Sequence, residues 1–298
     1  MYMSTGIVSI VSSNSRFDGV KSSLDLIESE IKSKIGSKRK ILVKPNFVSV
    51  HTPLCATHVD AVDSLLNWFY DKFNLNEVIV AESPADGSVW DGVKNYGYDR
   101  LKEKYGVEFY YLDEGEFEEV EVYNSSGEVF KIRVAKILMN EDFFKISICR
   151  PKTHDTVIVT LTIKNMAMGS IPRREKPLMH QGYYYINLNI AKVATKVMPD
   201  LGVIDGLIGM EGNGPVHGTP IKWGVFLAST NPLHVDALTA YMMGFNPRNI
   251  GYLYYLHEWG YGEIDPSKIN HIGEEPEKLK VKFKPHHTYH KQLNWKTP

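Results

Sequence analysis

Apolar segments alternate with helical patterns over the first third of the chain. Short apolar runs predict β-strands at 6–13, 40–46, 77–83 and 107–113. Between them, apolar residues recur at helical spacing in 20–36, 59–73 and 91–105. This βαβαβ rhythm predicts an α/β fold with a mostly parallel sheet and helices on both faces.

The pattern changes at residues 116–136, where polar and apolar positions alternate on both sides of the turn-forming segment 124–127. Such alternation predicts an antiparallel hairpin with one solvated face, inserted into the α/β fold. Further strands are then predicted at 144–150, 201–206 and 224–229, with helices at 187–198, 232–244 and 247–259. The β-branched run 157–163 favours a strand, but its flanks also permit a helix.

We expect one α/β domain over residues 1–298, with the hairpin at 116–136 as an insertion. Within residues 270–298, the segment 278–292 alternates lysine with apolar residues and then becomes polar. This pattern predicts an edge strand followed by a frayed tail.

Charge and composition narrow the function classes. The formal net charge of the 298-residue chain is -1, so no basic excess points to nucleic acid or to an anionic membrane surface. No segment approaches the roughly 18 apolar residues of a membrane helix. We therefore predict a soluble cytoplasmic protein with neither nucleic acid nor membrane as a partner.

Polar residues follow the predicted strands repeatedly. Lys44 and Asn46 follow one strand, the segment 82–87 follows the next, and Lys152 and His154 follow a third. The strands at 201–206 and 224–229 are likewise followed by polar or glycine-rich segments. Because ligands of open α/β sheets bind outside the carboxyl ends of the strands, we predict a site at that edge.

The cations in this set predict an anion-binding crevice. Lys44, Lys152 and Lys164, with Arg173 as a further candidate, would surround one small anionic ligand, because isolated cationic groups are costly to bury. Asn46 and Asn165 would add amide contacts to that ligand. We predict catalytic roles for His154, which can transfer a proton near neutral pH, and for the two lysines beside it, Lys152 and Lys164.

A glycine-rich segment at 205–220 supplies the opposite wall of the predicted crevice. Backbone N–H groups around Gly212, Asn213 and Gly214 can form an anion nest, although no phosphate-loop motif is present. Three acids are candidate ligands of a divalent cation or partners of the lysines: Asp205, Glu211 and Asp236. Asp205 and Asp236 also permit structural interpretations, as a turn cap and as an acid near a helix N-terminus.

The motifs KPN, PKTH…KNMAMGSIP, DG…GMEGNGP and VDA occur here in the order and spacing that resemble domain-of-unknown-function family 362. The resemblance covers about residues 40–245. It implies a fold and a site region but no reaction. Many members of that family add ferredoxin-like cysteine segments, whereas this chain has only Cys55 and Cys149. We therefore expect no iron–sulfur cluster in this chain.

Two functions remain open at this point. The first is an enzyme that acts on a small carboxylate or phosphate, with or without a divalent metal. The second is a non-enzymatic protein that holds a cofactor or metal and works with a separate redox protein. The sequence specifies neither the cofactor nor the oligomeric state.

Overall fold

The computed structural model describes residues 6–297. Its strands are β1 Val8–Ser12, β2 Lys40–Lys44, β3 Glu77–Glu82, β4 Glu108–Tyr111, β5 Phe117–Tyr123, β6 Val129–Ala135, β7 Phe143–Cys149, β8 Lys152–His154, β9 Ile158–Thr160, β10 Leu201–Glu211, β11 Thr219–Ser229 and β12 His271–Gly273. Its α-helices are α1 Arg16–Asp25, α2 Glu28–Ile35, α3 Val59–Lys72, α4 Val89–Asn95, α5 Asp99–Tyr105, α6 Thr162–Gly169, α7 Gly182–Val197, α8 Pro232–Met242, α9 Gly251–Glu258, α10 Pro276–Leu279 and α11 Tyr289–Gln292.

Within this part of the chain, ten strands form one sheet. Eight follow the order β12-β1-β11-β10-β7-β2-β3-β4; β8 joins by pairing with β10, and β9 pairs with β8. Strands β10, β7, β2, β3 and β4 run parallel to one another. Strand β11 runs antiparallel to both β1 and β10. The predicted α/β fold with a mostly parallel sheet is confirmed.

Side chains of successive residues in the central strands point to opposite faces of the sheet. Ile41 and Val43 of β2 pack into a core with helices α1 to α5, while Leu42 packs into a second core with helices α6 to α9. Burying each such side chain stabilises the fold by about 1.5–3 kcal/mol. This two-faced burial explains why the β2 sequence is an unbroken apolar run.

The hairpin β5–β6 forms a separate two-stranded antiparallel sheet, as predicted for residues 116–136. It is fixed to α7 by Asn189, whose amide accepts the N–H of Tyr123 and donates to the carbonyl of the same residue, both at 2.8 Å. Val120, Val122, Ile132 and Val134 alternate inward along the two strands.

Several predicted elements differ from the structure. The segment 20–36 forms two helices that meet at 26–27, and 91–105 is divided near Gly97, which has a positive φ. The run 157–163, which the sequence left open between strand and helix, contains part of each, because β9 ends at Thr160 and α6 begins at Thr162.

The C-terminal segment also differs from its prediction. The edge strand is β12, which pairs with β1, and residues 280–286 form no strand. The tail is not frayed: Phe283, Gln292 and Trp295 are buried. Phe283 and Trp295 are therefore core residues, whereas Ile272 and Val281 are exposed.

Candidate functional site

The carboxyl ends of β2 and β3 place an ion pair inside the protein. The ammonium of Lys44 lies 2.7 Å from Glu82 Oε1, and both side chains are almost fully buried. Burial lowers the pKa of Lys44, and the Glu82 carboxylate opposes this shift. The same ammonium donates to the carbonyl of Pro45 at 2.8 Å and to Asn165 Oδ1 at 3.1 Å. All three of its protons are therefore engaged by the protein.

Asn165 of α6 connects this pair to the neighbouring strands. Its Oδ1 also accepts the Asn46 amide at 3.1 Å, and its Nδ2 donates to the Lys44 carbonyl and to Ser147 Oγ at 3.2 and 3.0 Å. Such a fully satisfied buried network fixes the side chains that belong to it. Asn46 and Asn165 are held in one orientation at the edge of the sheet.

Lys152 lies behind this network. Its side chain is fully buried, and its ammonium donates to Asn46 Oδ1 and, at 2.8 Å, to the Cys55 carbonyl. Burial lowers its pKa to about 7. The structure therefore places Lys152 as a support for Asn46, away from the pocket described below.

The hairpin β8–β9 presents His154. The ring Nδ1 lies 3.1 Å from the backbone N of Thr156 and 2.9 Å from Asp155 Oδ1, and the tautomer decides whether it accepts from the first or donates to the second. Burial, together with the charge of Lys164, lowers the pKa of His154 to about 3. The imidazole is thus neutral, and within residues 6–297 its Nε2 makes no hydrogen bond. Nε2 is the nitrogen that can reach a ligand.

Helix α6 begins where Asp236 of α8 accepts two backbone N–H groups, those of Thr162 and Ile163, both at 2.9 Å. The carboxylate also accepts the Thr162 hydroxyl at 2.6 Å. This anchoring fixes the first turn of α6, which carries Lys164 and Asn165.

Lys164 differs from the other lysines of the site in its lack of a bonding partner among the described residues. Its side chain is buried, with 8% exposure, yet no hydrogen bond or ion pair joins its ammonium to any residue that the structure describes. Burial lowers its pKa to about 8, and the charge of Asp155 opposes this shift. An ammonium in this position lacks the compensation that buried charges need.

These groups line one pocket of about 180 Å³ at the carboxyl ends of β2, β3 and β8. Its lining includes five of the predicted site residues: Lys44, Asn46, His154, Lys164 and Asn165. Close packing is required at its back, where a Cβ on Gly169 would overlap with Cε and Nζ of Lys44. The structure therefore brings these five residues together around one pocket.

Sequence reasoning missed several lining residues, including Thr160, Lys176 and Asp155. The Thr160 hydroxyl is buried and has no hydrogen-bond partner among the described residues. Lys176 donates to the carbonyls of Met168 and Ile171 at 2.8 and 2.7 Å, and burial lowers its pKa to about 7. Asp155 precedes the run 157–163 and Thr160 lies within it, and the sequence left the conformation of this run open.

The three candidate metal ligands do not assemble. Asp205 Oδ2 lies 2.7 Å from Arg16 Nε, Glu211 Oε2 accepts the N–H of Lys284 at 2.8 Å, and Asp236 anchors α6. Residues 6–297 contain no group of three or more His, Cys, Asp or Glu side chains arranged to hold a metal ion. Each acid is instead occupied by its own basic or backbone partner.

The glycine-rich segment does not form the predicted nest. Strand β10 continues to Glu211 past a bulge near Gly206, so the segment is partly a strand. The N–H of Gly212 donates to Lys284 and that of Gly214 to Gly212, at 2.7 and 2.9 Å. A Cβ on Gly214 would overlap with the Thr153 carbonyl, so this glycine permits packing against β8.

Asn213 also lies outside the pocket lining, and its Oδ1 is 2.9 Å from His287 Nδ1. Thr230 and Asn231 directly follow the predicted strand at 224–229 and were expected at the site edge of the sheet. They do not lie there, for a topological reason. Because β11 is antiparallel to β10, its carboxyl end lies at the opposite edge of the sheet.

The family described as Domain of unknown function (DUF362) matches residues 41–241, more than half of the chain. The chain belongs to this family. A thylakoid-associated protein of Synechocystis sp. is 25% identical to this DUF362 chain over 218 residues, covering 71% of the chain and 65% of the relative. The chain therefore spans less than two thirds of that relative's length.

Among solved structures, the lactate racemase apoprotein of Thermoanaerobacterium thermosaccharolyticum matches with a TM-score of 0.53 and 14% identity. The match covers 78% of the DUF362 chain and 56% of the racemase. A protein of Thermotoga maritima matches with a TM-score of 0.40 and 14% identity, over 74% of this chain and 57% of that one. The likeness to the racemase shows a shared α/β fold.

Two further features of the DUF362 chain concern its environment. No helix within 6–297 has the length and apolarity needed to cross a membrane. Cys55 and Cys149 are both buried free thiols. Burial raises the pKa of Cys149 well above its ordinary value, which makes this thiol a poor nucleophile.

Proposed function

We propose that this DUF362 protein is an enzyme that binds a small carboxylate or phosphate in the pocket and transfers a proton to or from it. The observation that carries the proposal is Lys164, whose side chain is buried and whose ammonium has no hydrogen-bonding or ionic partner among the described residues. An anion in the pocket would supply the missing compensation, which makes binding favourable.

The neighbouring groups support an anionic ligand with oxygen atoms. The unpaired hydroxyl of Thr160 lines the same pocket and can donate to such an oxygen. Lys44 has no proton to spare, since Glu82, Pro45 and Asn165 accept all three, and the Glu82 carboxylate compensates its charge. Lys164 and Thr160 are thus the direct ligand contacts in this proposal.

His154 would move the proton. In the neutral tautomer that carries its proton on Nδ1, which lies 2.9 Å from Asp155 Oδ1, the free Nε2 can accept a proton from a bound molecule. The cationic Lys164 that lowers the histidine pKa would be partly neutralised by the anion, which raises the basicity of the imidazole when the ligand is bound. The lactate racemase that shares the fold acts, by its name, on a small carboxylate, a ligand of the proposed class.

Ligand binding tests the first half of the proposal. Calorimetric titration of the wild-type protein with lactate, pyruvate, glycolate and inorganic phosphate should find binding for at least one anion. Lys164→Met should weaken that binding by at least tenfold, because the compensating charge is lost. Lys102→Met is the matched control, since Lys102 is exposed on α5. Equal affinity in wild type and Lys164→Met would overturn the proposal.

Proton transfer tests the second half. The bound carboxylate is incubated with the protein in D₂O, and exchange of its carbon-bound protons is followed by NMR. Exchange in wild type that is lost in His154→Gln, with binding retained, supports an enzyme. Binding without exchange would instead support the alternative of a non-catalytic ligand carrier.

A further inference from the structure

A second compartment adjoins the pocket on its solvent side. It has a volume of about 370 Å³ and is lined by Ala85, Arg173, Lys176, Pro177 and His180. Three of these, Ala85, Lys176 and His180, also line the inner pocket. Arg173, Pro177 and His180 are exposed, whereas Lys44, Lys164 and Asn165 of the inner pocket are buried. The two compartments are therefore continuous, one outside the other.

The outer compartment carries positive charge that lacks a carboxylate partner. The guanidinium of Arg173 donates to the Gly87 carbonyl at 2.9 Å, and its other N–H groups form no ion pair within residues 6–297. Asp113 lies nearby but accepts the backbone N–H of Arg173, at 3.0 Å, and not the side chain. The lining of this compartment contains no acid.

Lys176 lies at the junction of the compartments. Two of its ammonium protons go to the carbonyls of Met168 and Ile171, which close the C-terminal end of α6. An ammonium has three protons, so one remains for a ligand. Neutral carbonyls hold Lys176 in place without cancelling its charge.

We propose that the substrate carries two anionic groups, one held in the inner pocket by Lys164 and the other in the outer compartment by Arg173 and Lys176. The substrate class is a small acid extended by a second carboxylate or by a phosphate. This inference rests on the proposed function and specifies its substrate. Arg173 favours a planar or tetrahedral oxyanion, because its fork of N–H groups can bind two oxygens together.

Matched pairs of probes test the inference, since each pair differs by one anionic group. Malate adds a carboxylate to the size class of lactate, and 3-phosphoglycerate adds a phosphate to glycerate. The measured quantity is the ratio of the two dissociation constants within a pair, in calorimetric titrations at fixed ionic strength. We expect at least one dianion to bind wild type tenfold or more tightly than its monoanion. The pair that shows this ratio identifies the second group.

Variants separate a built subsite from general attraction between charges. Arg173→Met and Lys176→Met should each reduce the ratio to threefold or less. Arg174→Met is the control, because Arg174 is exposed next in sequence but does not line either compartment. It should leave the ratio unchanged.

Two results would overturn the inference: a ratio near one for both pairs in wild type, or equal losses in Arg173→Met and Arg174→Met. Failure of the proposed function has a different signature. In that case the monoanions themselves would fail to bind, or would bind wild type and Lys164→Met alike.

Discussion

Replacing Lys164 by methionine should make the protein more stable at neutral pH, although it removes the proposed ligand contact. Methionine keeps most of the apolar stem and removes the buried charge. A group whose replacement stabilises the fold while impairing binding is retained for function and not for folding. This variant therefore tests the interpretation of the site without knowledge of the substrate.

The magnitude follows from the pKa. Burial lowers the pKa of Lys164 from 10.5 to about 8, and each pH unit corresponds to about 1.4 kcal/mol. The charged lysine thus costs up to about 3 kcal/mol of folding stability below pH 8. As pH rises from 8 to 10.5 the folded protein loses this proton before the unfolded chain does, so the cost declines. At pH 10 it is below about 1 kcal/mol.

The assay is urea unfolding of wild type and Lys164→Met at pH 7 and at pH 10, without added anions. Burial lowers the pKa values of Lys152 and Lys176, and the charge of Lys164 lowers them further. Its removal should therefore make their charged forms less costly, which adds to the gain at pH 7. The variant should gain up to about 3 kcal/mol at pH 7 and much less at pH 10. The reasoning is refuted if the variant is less stable at pH 7, or if its gain is the same at both pH values.

Three further changes probe the surroundings of Lys164. Glu82→Gln should lower the unfolding free energy by about 3–5 kcal/mol, because it leaves the ammonium of Lys44 buried without its ion pair. Adding Lys44→Met to this variant should recover part of the lost stability. If the double variant recovers none, the ion pair is not the cause of the loss. Gly169→Ala should cost about 1–3 kcal/mol in the same assay, since the new methyl group displaces the Lys44 side chain; an unchanged midpoint would argue against this close packing. Thr160→Val should keep or slightly raise stability, because the hydroxyl is already unpaired, and should weaken anion binding in calorimetric titrations; unaltered affinity would remove Thr160 from the site.

The local sequence pattern predicted the position of those pocket residues that directly follow parallel strands. Lys44 is the last residue of β2, which is parallel to β7, and His154 is the last residue of β8, which pairs in parallel with β10. Their position at the carboxyl edge of the sheet therefore follows from the alternation of strands and helices. Asn46 followed from the same reasoning, whereas Asn165 was predicted from its position beside Lys164, after the run 157–163. The strand-end rule failed for Thr230 and Asn231, because the direction of β11 cannot be read from its own residues.

The sequence alone determined the class of fold, the hairpin at 116–136 and the concentration of cations at one edge of the sheet. These features depend on periodicity and on the places where apolar runs stop, and both are local properties. The partner of each charged group depends on residues far away along the chain. Glu82 occupies Lys44, Asn46 occupies Lys152, and Arg16 occupies Asp205.

Only the tertiary structure decided which lysine remains without a partner. Lys44, Lys152 and Lys164 look alike in sequence, each beside an apolar run. Packing provides carbonyl, amide or carboxylate acceptors for the first two and none within 6–297 for the third. Because the cost of burying a charge is set by its acceptors and not by its neighbours in sequence, the candidate binding residue became identifiable only in the folded chain.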